Sequence, residues 1–255
     1  DHRPPTTDHR PPTTDHRPLF RPMSQHIFRD YDIAIHQLQE DLLTMATLTR
    51  QNLEQAMQAL LRGDTDLANT VIAADSDVDE LERKVDQIGM EILVRFHPVA
   101  TDLRLIIASM KISTSLERIS DHAVGIAKRA RKINQGQPLQ EVQWLEPLYA
   151  QAYALLRDAM DSYTNHDPVL GQGLHDKDRE LDRLHKQLTR TLSSQLEIAN
   201  GRSAAWLHLI FIARSLERIG DLSVNIGEEA VFLESAINIR HEYRKQPPEN
   251  QPPTP

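Results

Sequence analysis

Two pairs of carboxylates, Glu117 with Asp121 and Glu217 with Asp221, stand four positions apart inside one phrase that the chain contains twice. Ser115-Leu116-Glu117-Arg118-Ile119-Ser120-Asp121 recurs as Ser215-Leu216-Glu217-Arg218-Ile219-Gly220-Asp221, with six of seven residues identical. On a helix this spacing stacks both acids on one face, about one turn apart. Like charges so placed cost a few tenths of a kcal/mol in an isolated helix, roughly 0.2–0.5. A cost incurred twice suggests a cation that offsets it.

Further acids are placed to join them. Asp79 and Asp75 lie 18 and 22 positions before His97, and Glu117 and Asp121 lie 20 and 24 after it. If His97-Pro98 closes an antiparallel helical hairpin, Asp79 neighbours Glu117 and Asp75 neighbours Asp121. In the second copy Asp182 and Asp178 lie 19 and 23 positions before Gly201, while Glu217 and Asp221 lie 16 and 20 after it. Each unit thus brings four acids to one level, and four neighbouring carboxylates stay ionised together only with cations among them. The eight candidate metal ligands are Asp75, Asp79, Glu117, Asp121, Asp178, Asp182, Glu217 and Asp221. Such oxygen-rich sets suit Mg, Mn, Fe or Zn. Arg118, Arg218 and Asn225 stand beside them as candidates to orient the carboxylates. Against the metal stands the plainer reading: Glu117 and Asp121 lie nearly opposite the apolar stripe Leu116, Ile119, Ala123 and Ile126, as solvated acids commonly do. His122 has Leu222 as its counterpart, which argues against a shared imidazole ligand, and Trp144 and Trp206 read as packing residues.

The elements that must carry these residues are helices. Only 9 of 255 residues are Gly, and the 39% apolar content is chiefly Leu, Ile, Ala and Val, a mixture for helices rather than a turn-rich sheet. Apolar steps of three and four predict helices over about 25–62, 65–97 and 99–134, then 147–165, 169–199 and 202–237. Gly63, His97-Pro98, Gly136, Asn165-His166-Asp167-Pro168 and Asn200-Gly201 supply the stops. The expected fold is all-α: two tandem three-helix bundles related by internal duplication. The first spans 23–137 and the second 138–240, flanked by a disordered repeat extension (1–22) and a disordered tail (241–255). The extension repeats Asp-His-Arg-Pro-Pro-Thr-Thr, and its prolines oppose a helix.

Charge narrows the partners. The net charge is −8, and removing the four Arg and three Asp of the extension leaves −9 on the rest. Nucleic acid is therefore not expected, since phosphate backbones require a concentrated basic surface. With no cysteine, disulfides, zinc-thiolate sites and thiol nucleophiles are excluded. No apolar run approaches a membrane span of roughly 18 residues, and a cytoplasmic protein is expected. P-loop, nucleophile-elbow and zincin signatures are absent, and so are the Glu-x-x-His pairs of di-metal carboxylate enzymes. An enzyme is not expected.

Both Leu-Glu-Arg-Ile-x-Asp phrases, together with Pro98-Val99-Ala100-Thr101-Asp102-Leu103-Arg104 and the duplicated six-helix layout, resemble the PhoU family of phosphate-transport and phosphate-signalling regulators. The resemblance covers about residues 24–237. It implies repression of the phosphate-starvation response through contact with the phosphate ABC transporter ATPase and its sensor histidine kinase, and a homodimer. It also implies metal binding at Glu117 with Asp121 and at Glu217 with Asp221, with the opposing aspartates as further ligands. The alternatives are a metal-free helical interaction protein and a di-metal carboxylate enzyme.

Overall fold

The computed structural model describes residues 23–198 and 203–239. The predicted extension at 1–22, the Asn200-Gly201 break and the tail at 241–255 lie outside the described residues. Among the described residues seven α-helices follow in order: α1 (Met23–Arg62), α2 (Thr65–Ala73), α3 (Asp75–Phe96), α4 (Ala100–Asn134), α5 (Glu146–Thr164), α6 (Pro168–Ile198) and α7 (Ser203–Ser235). Among the described residues there is no strand.

The helix predicted over 65–97 is divided at Ala74. The apolar stripe of Val71, Ala74 and Val78 runs through the break, which is why periodicity joins the two segments. The division comes from Asp75-Ser76-Asp77, whose side chains compete with helical backbone bonds in mid-helix but suit a first turn. Asp75 and Asp77 occupy the first turn of α3. A short 3-10 segment, Gln140–Leu145, also precedes α5, and it brings Trp144 to 5.9 Å from Trp206 between ring centroids. Trp206 is buried, while Trp144 remains partly exposed.

The turns use the expected chemistry. Gly63 takes φ +70° after α1, and Asp64 caps α2 by accepting a hydrogen bond from the Leu67 amide at 2.9 Å. His97 closes α3 in the left-handed conformation. Asp167 accepts from the amides of Val169 and Leu170, both at 3.0 Å, at the start of α6.

In the first half α1 packs on α2, α3 and α4, and in the second half α5, α6 and α7 pack on one another. The stripes meet as the periodicity requires: Leu116, Ile119, Ala123 and Ile126 of α4 and Leu216, Ile219 and Ile226 of α7 are buried. Polar bonds fix register inside this apolar mass. Asn52 Nδ2 donates to Ser120 Oγ at 3.1 Å, locking α1 to the repeated phrase on its inward side. In the second copy Gly220 replaces that serine, and a Cβ there would lie 2.1 Å from Leu181 Cδ2. The missing side chain lets α6 settle close against α7, with Asp178 Oδ1 only 3.3 Å from where that Cβ would stand.

The halves are also packed together, chiefly through α4 against α7. Arg104 Nε donates to Leu233 O at 3.0 Å, Lys111 Nζ lies 3.5 Å from Glu229, and Arg129 reaches His208 Nδ1 at 3.4 Å. Numbers rise along one helix as they fall along the other, so the two run antiparallel, with the repeated phrases level near their midpoint.

Two glycines near the start of α6 have opposite surroundings. A Cβ on Gly173 would meet nothing within 4 Å, so Gly173→Ala should stabilise the protein by about 0.4–1 kcal/mol by restricting the unfolded chain. A rise in the urea midpoint at unchanged slope is the expected reading.

Candidate functional site

The repeated phrases lie on α4 and α7, the central helices of the two halves, with α3 and α6 alongside. Their inward residues are held by the core, so the acids are left on the outer side of each pair. Glu117 is half-buried and Asp121 exposed; Glu217 and Asp221 are both half-buried. The outward placement opposite the apolar stripe is therefore as the helical wheel requires.

Electrostatics locate the neighbours. Burial first, and then the charges of Asp121, Glu82 and Asp79, push the Glu117 carboxyl up to about 7. Asp75 is raised by burial and by Asp121 and Asp79, with Lys128 opposing. In the second half burial, Asp221, Asp182 and Glu217 push Asp178 up to about 7. Glu217 is raised by burial and Asp221, and opposed by Arg218 and His185. Each half thus groups its four predicted acids across the α3–α4 or α6–α7 pair. Asp158 on α5 shows the contrast. Burial pushes it up as well, but hydrogen bonds from Lys177 and Arg157 hold it below its ordinary value, with Lys177 Nζ at 2.5 Å. The grouped acids have less internal cation to serve the same purpose.

The predicted orienting residues separate. Arg218 Nη1 donates to Asp221 Oδ2 at 2.8 Å, and its Nε lies 3.5 Å from Glu217. Arg118 lies within electrostatic reach of Glu117 and His122. Asn225 is exposed on the wall of the same cleft as Asp221. Among the described residues no group of three or more His, Asp or Glu side chains is placed to hold a metal ion; the acids form open patches of oxygen donors, the ligand type that hard cations take.

Two neighbours went unremarked in the sequence. Glu82 adds to the acids of the first patch, and His185 stands beside the second, opposing the rise of Glu217. They stand three residues after Asp79 and Asp182 respectively, one turn along the same face. That i,i+3 spacing was the available signal. Two buried acids, Glu228 and Glu229, were also missed because the helical pattern gives no reason to bury charge there. Glu229 faces Lys111 at 3.5 Å, and Glu228 faces His175 at 3.5 Å.

The patches are not on separate sides of the molecule. Asp121 of the first and Asp178 and Asp221 of the second line one cleft of about 880 Å³. Its walls come from α4, α6 and α7, and Arg118, His122 and Arg218 also line it.

The raised acids set a pH dependence. A carboxyl with a folded-state pKa near 7 holds its proton longer than in the unfolded chain, so stability is lost as pH rises from about 4 towards 7. The depressed His122, His175 and His208 work oppositely, losing stability as pH falls through their unfolded range near 6.5. A comparison isolates the carboxylates. In chelator-treated protein, Glu117→Gln/Asp178→Asn should gain thermal stability relative to the parent as pH rises from 5 to 8. A constant Tm difference would contradict this.

Comparison with known proteins gives a consistent result. The PhoU domain family model matches residues 42–130 and again 145–230. A phosphate-specific transport system accessory protein PhoU homolog of Zymomonas mobilis is 33% identical over 207 residues, 81% of this chain and 87% of the relative. The corresponding protein of Pseudomonas aeruginosa is 30% identical over 220 residues, covering 86% and 91%. The crystal structure of PhoU from Pseudomonas aeruginosa superposes with a TM-score of 0.78 at 30% identity, over 81% of this chain and 100% of that one. PhoU from Streptococcus pneumoniae, at 23% identity, shares the fold with a TM-score of 0.75 over 82% and 98%.

Proposed function

The chain belongs to the PhoU family, and from that premise we propose that it restrains phosphate uptake and the phosphate-starvation response by contact with a phosphate ABC transporter and a sensor histidine kinase. A role in phosphate-transport regulation follows from its relatives, which are accessory proteins of the phosphate-specific transport system rather than enzymes. The observation that carries the finer reading is the duplicated match, with both PhoU domains present in order. Among the described residues no helix is long and apolar enough to cross a membrane, so attachment to a transporter would come through protein contact. The protein works in the cytoplasm and as a homodimer under this proposal.

Metal ions on the two acidic patches are part of the same reading. Like-charged carboxyls raised towards neutrality support it, because a divalent cation offsets that repulsion. In the first patch Asp75, Asp79, Glu117 and Asp121 would supply the oxygens; in the second Asp178, Asp182, Glu217 and Asp221 would do so. A second reading, a metal-free interaction protein, is favoured by one observation: Arg218 already gives Asp221 an internal counter-charge at 2.8 Å.

Partner contact is tested by affinity capture from solubilised native membranes with the full chain as bait. Recovery of a phosphate-transporter ATPase or a phosphate-responsive sensor kinase is expected. Recovery of neither, with the bait folded, would count against the proposal.

A further inference from the structure

We propose that the end of the molecule where α4 finishes and α7 begins is a docking surface for an anionic phospholipid membrane. The fold brings two acid-free stretches together there. Residues 122–140 carry Lys128, Arg129, Arg131 and Lys132 without one acid, and residues 203–216 carry His208 and Arg214 without one acid. The rest of α7 reverses the balance, with Glu217, Asp221, Glu228, Glu229 and Glu234 against Arg218 alone. Because α4 and α7 run antiparallel, the acid-free half of one lies beside the acid-free half of the other, and positive charge collects at a single end.

The cations there share their surface with exposed apolar side chains. Leu207, Phe211 and Arg214 repeat at steps of four and three on one face of α7, and all three are exposed. The Arg129 guanidinium lies 4.3 Å from the centroid of the Phe211 ring and 3.4 Å from His208 Nδ1, and Lys132 is within electrostatic reach of the same imidazole. Neighbouring elements carry acids, Asp66 on α2 and Glu141 and Glu146 beside Trp144. Arg129, Lys132 and Arg214 nevertheless form no ion pair within 4.0 Å among the described residues. Of the other two cations, Arg131 donates to Asn69 on α2 at 3.1 Å, and Lys128 acts on Asp75. Three cations therefore remain for an outside partner. A headgroup layer matches this mixture: its phosphates attract the cations, and its boundary with the acyl chains accepts Phe211 and Leu207. The chain carries a net charge of −8, so an anionic surface repels the remainder of the molecule and selects this end.

Vesicle binding requires neither transporter nor kinase, so its failure would leave the protein contacts proposed above standing. Full-length protein in chelator, which prevents a divalent ion from bridging acids to headgroups, is floated with vesicles of phosphatidylglycerol and phosphatidylcholine in equal parts, and with phosphatidylcholine alone. Flotation with the anionic vesicles only is expected. Raising salt from about 0.1 to 1 M, which shortens the screening length from about 10 to about 3 Å, should release the protein. Arg129→Gln/Lys132→Gln should weaken partition at least about tenfold, since each basic residue near an anionic surface contributes a several-fold factor. Phe211→Ser should weaken it as well, while Lys84→Gln on α3, where Lys84 pairs with Glu80 at 3.1 Å, should not. Circular dichroism and Tm establish that each variant is folded. No flotation with anionic vesicles, equal flotation with both kinds, or undiminished binding by folded Arg129→Gln/Lys132→Gln overturns the proposal. If the parent ignores vesicles and the double variant loses a protein captured from solubilised membranes, the lipid assignment is overturned in favour of an acidic protein partner.

Discussion

Exchanging Glu117 and Glu217 together for glutamine is expected to lower metal content, measured by elemental analysis after loading and desalting, by at least about tenfold. Loss of a group that only orients a ligand already costs about 10–100-fold in metal affinity, and these glutamates would be ligands themselves. Glutamine keeps the shape and one carbonyl oxygen but removes the charge that attracts a divalent ion. The variant should remain folded, because both carboxyls are raised by burial and by their acidic neighbours. Neutralising them relieves a cost in the metal-free protein. The thermal signature is therefore double: equal or higher Tm without metal, and loss of the stabilisation that metal gives the parent. Ligand at 100 times its Kd stabilises a folded protein by about 2.7 kcal/mol. A parent that retains no metal and shows no Tm shift with Mg, Mn, Fe or Zn would leave the patches as solvated acids, without disturbing family membership.

Gly171→Val should be the most damaging single substitution considered. A Cβ at this position would lie 2.8 Å from Ser162 Oγ, 2.8 Å from Val231 Cγ2 and 2.9 Å from the carbonyl oxygen of Gly227. The last contact is backbone, which cannot rotate away. Gly227 faces it from α7, and a Cβ there would lie 3.3 Å from Gly171 O; α6 and α7 therefore pass with their main chains nearly touching. Forcing a branched side chain between them should cost about 3 kcal/mol or more. At roughly 2–4 °C per kcal/mol for a chain of this size, Tm should fall by about 6–12 °C. Gly173→Ala, two residues away, has the opposite expected sign. If Gly171→Val unfolds like the parent, the close crossing does not hold α6 in place.

That crossing also shows where sequence reading stops. Periodicity in Leu174, Leu181 and Leu192 predicts a helix with one buried face, and all three are buried. It gives no reason for Gly171, because close backbone approach depends on which helix lies opposite. Counting along the hairpins reached further: similar distances from a turn, within three positions, put Asp79 near Glu117 and Asp182 near Glu217, since antiparallel helices share one rise per residue. The α2–α3 division escaped because apolar residues continue across it while Asp75-Ser76-Asp77 favours a new first turn. The packing of α4 on α7 escaped for a deeper reason. An apolar stripe records that a face is covered, but not by what, so the duplication alone could not join the two acidic patches around one cleft.

The antiparallel α4–α7 pair has two ends that duplication should make alike. At one end Lys111 lies near the buried Glu229; at the other, the hundred-residue counterparts Phe211 and Arg129 meet as a cation over an aromatic ring, at 4.3 Å. In a dimer of identical subunits each contact would occur twice. Covalent fusion removes that obligation, so a salt bridge and a ring contact occupy mirrored stations. The molecule consequently has a head and a tail, and anything gripping both halves at once meets it in one orientation only.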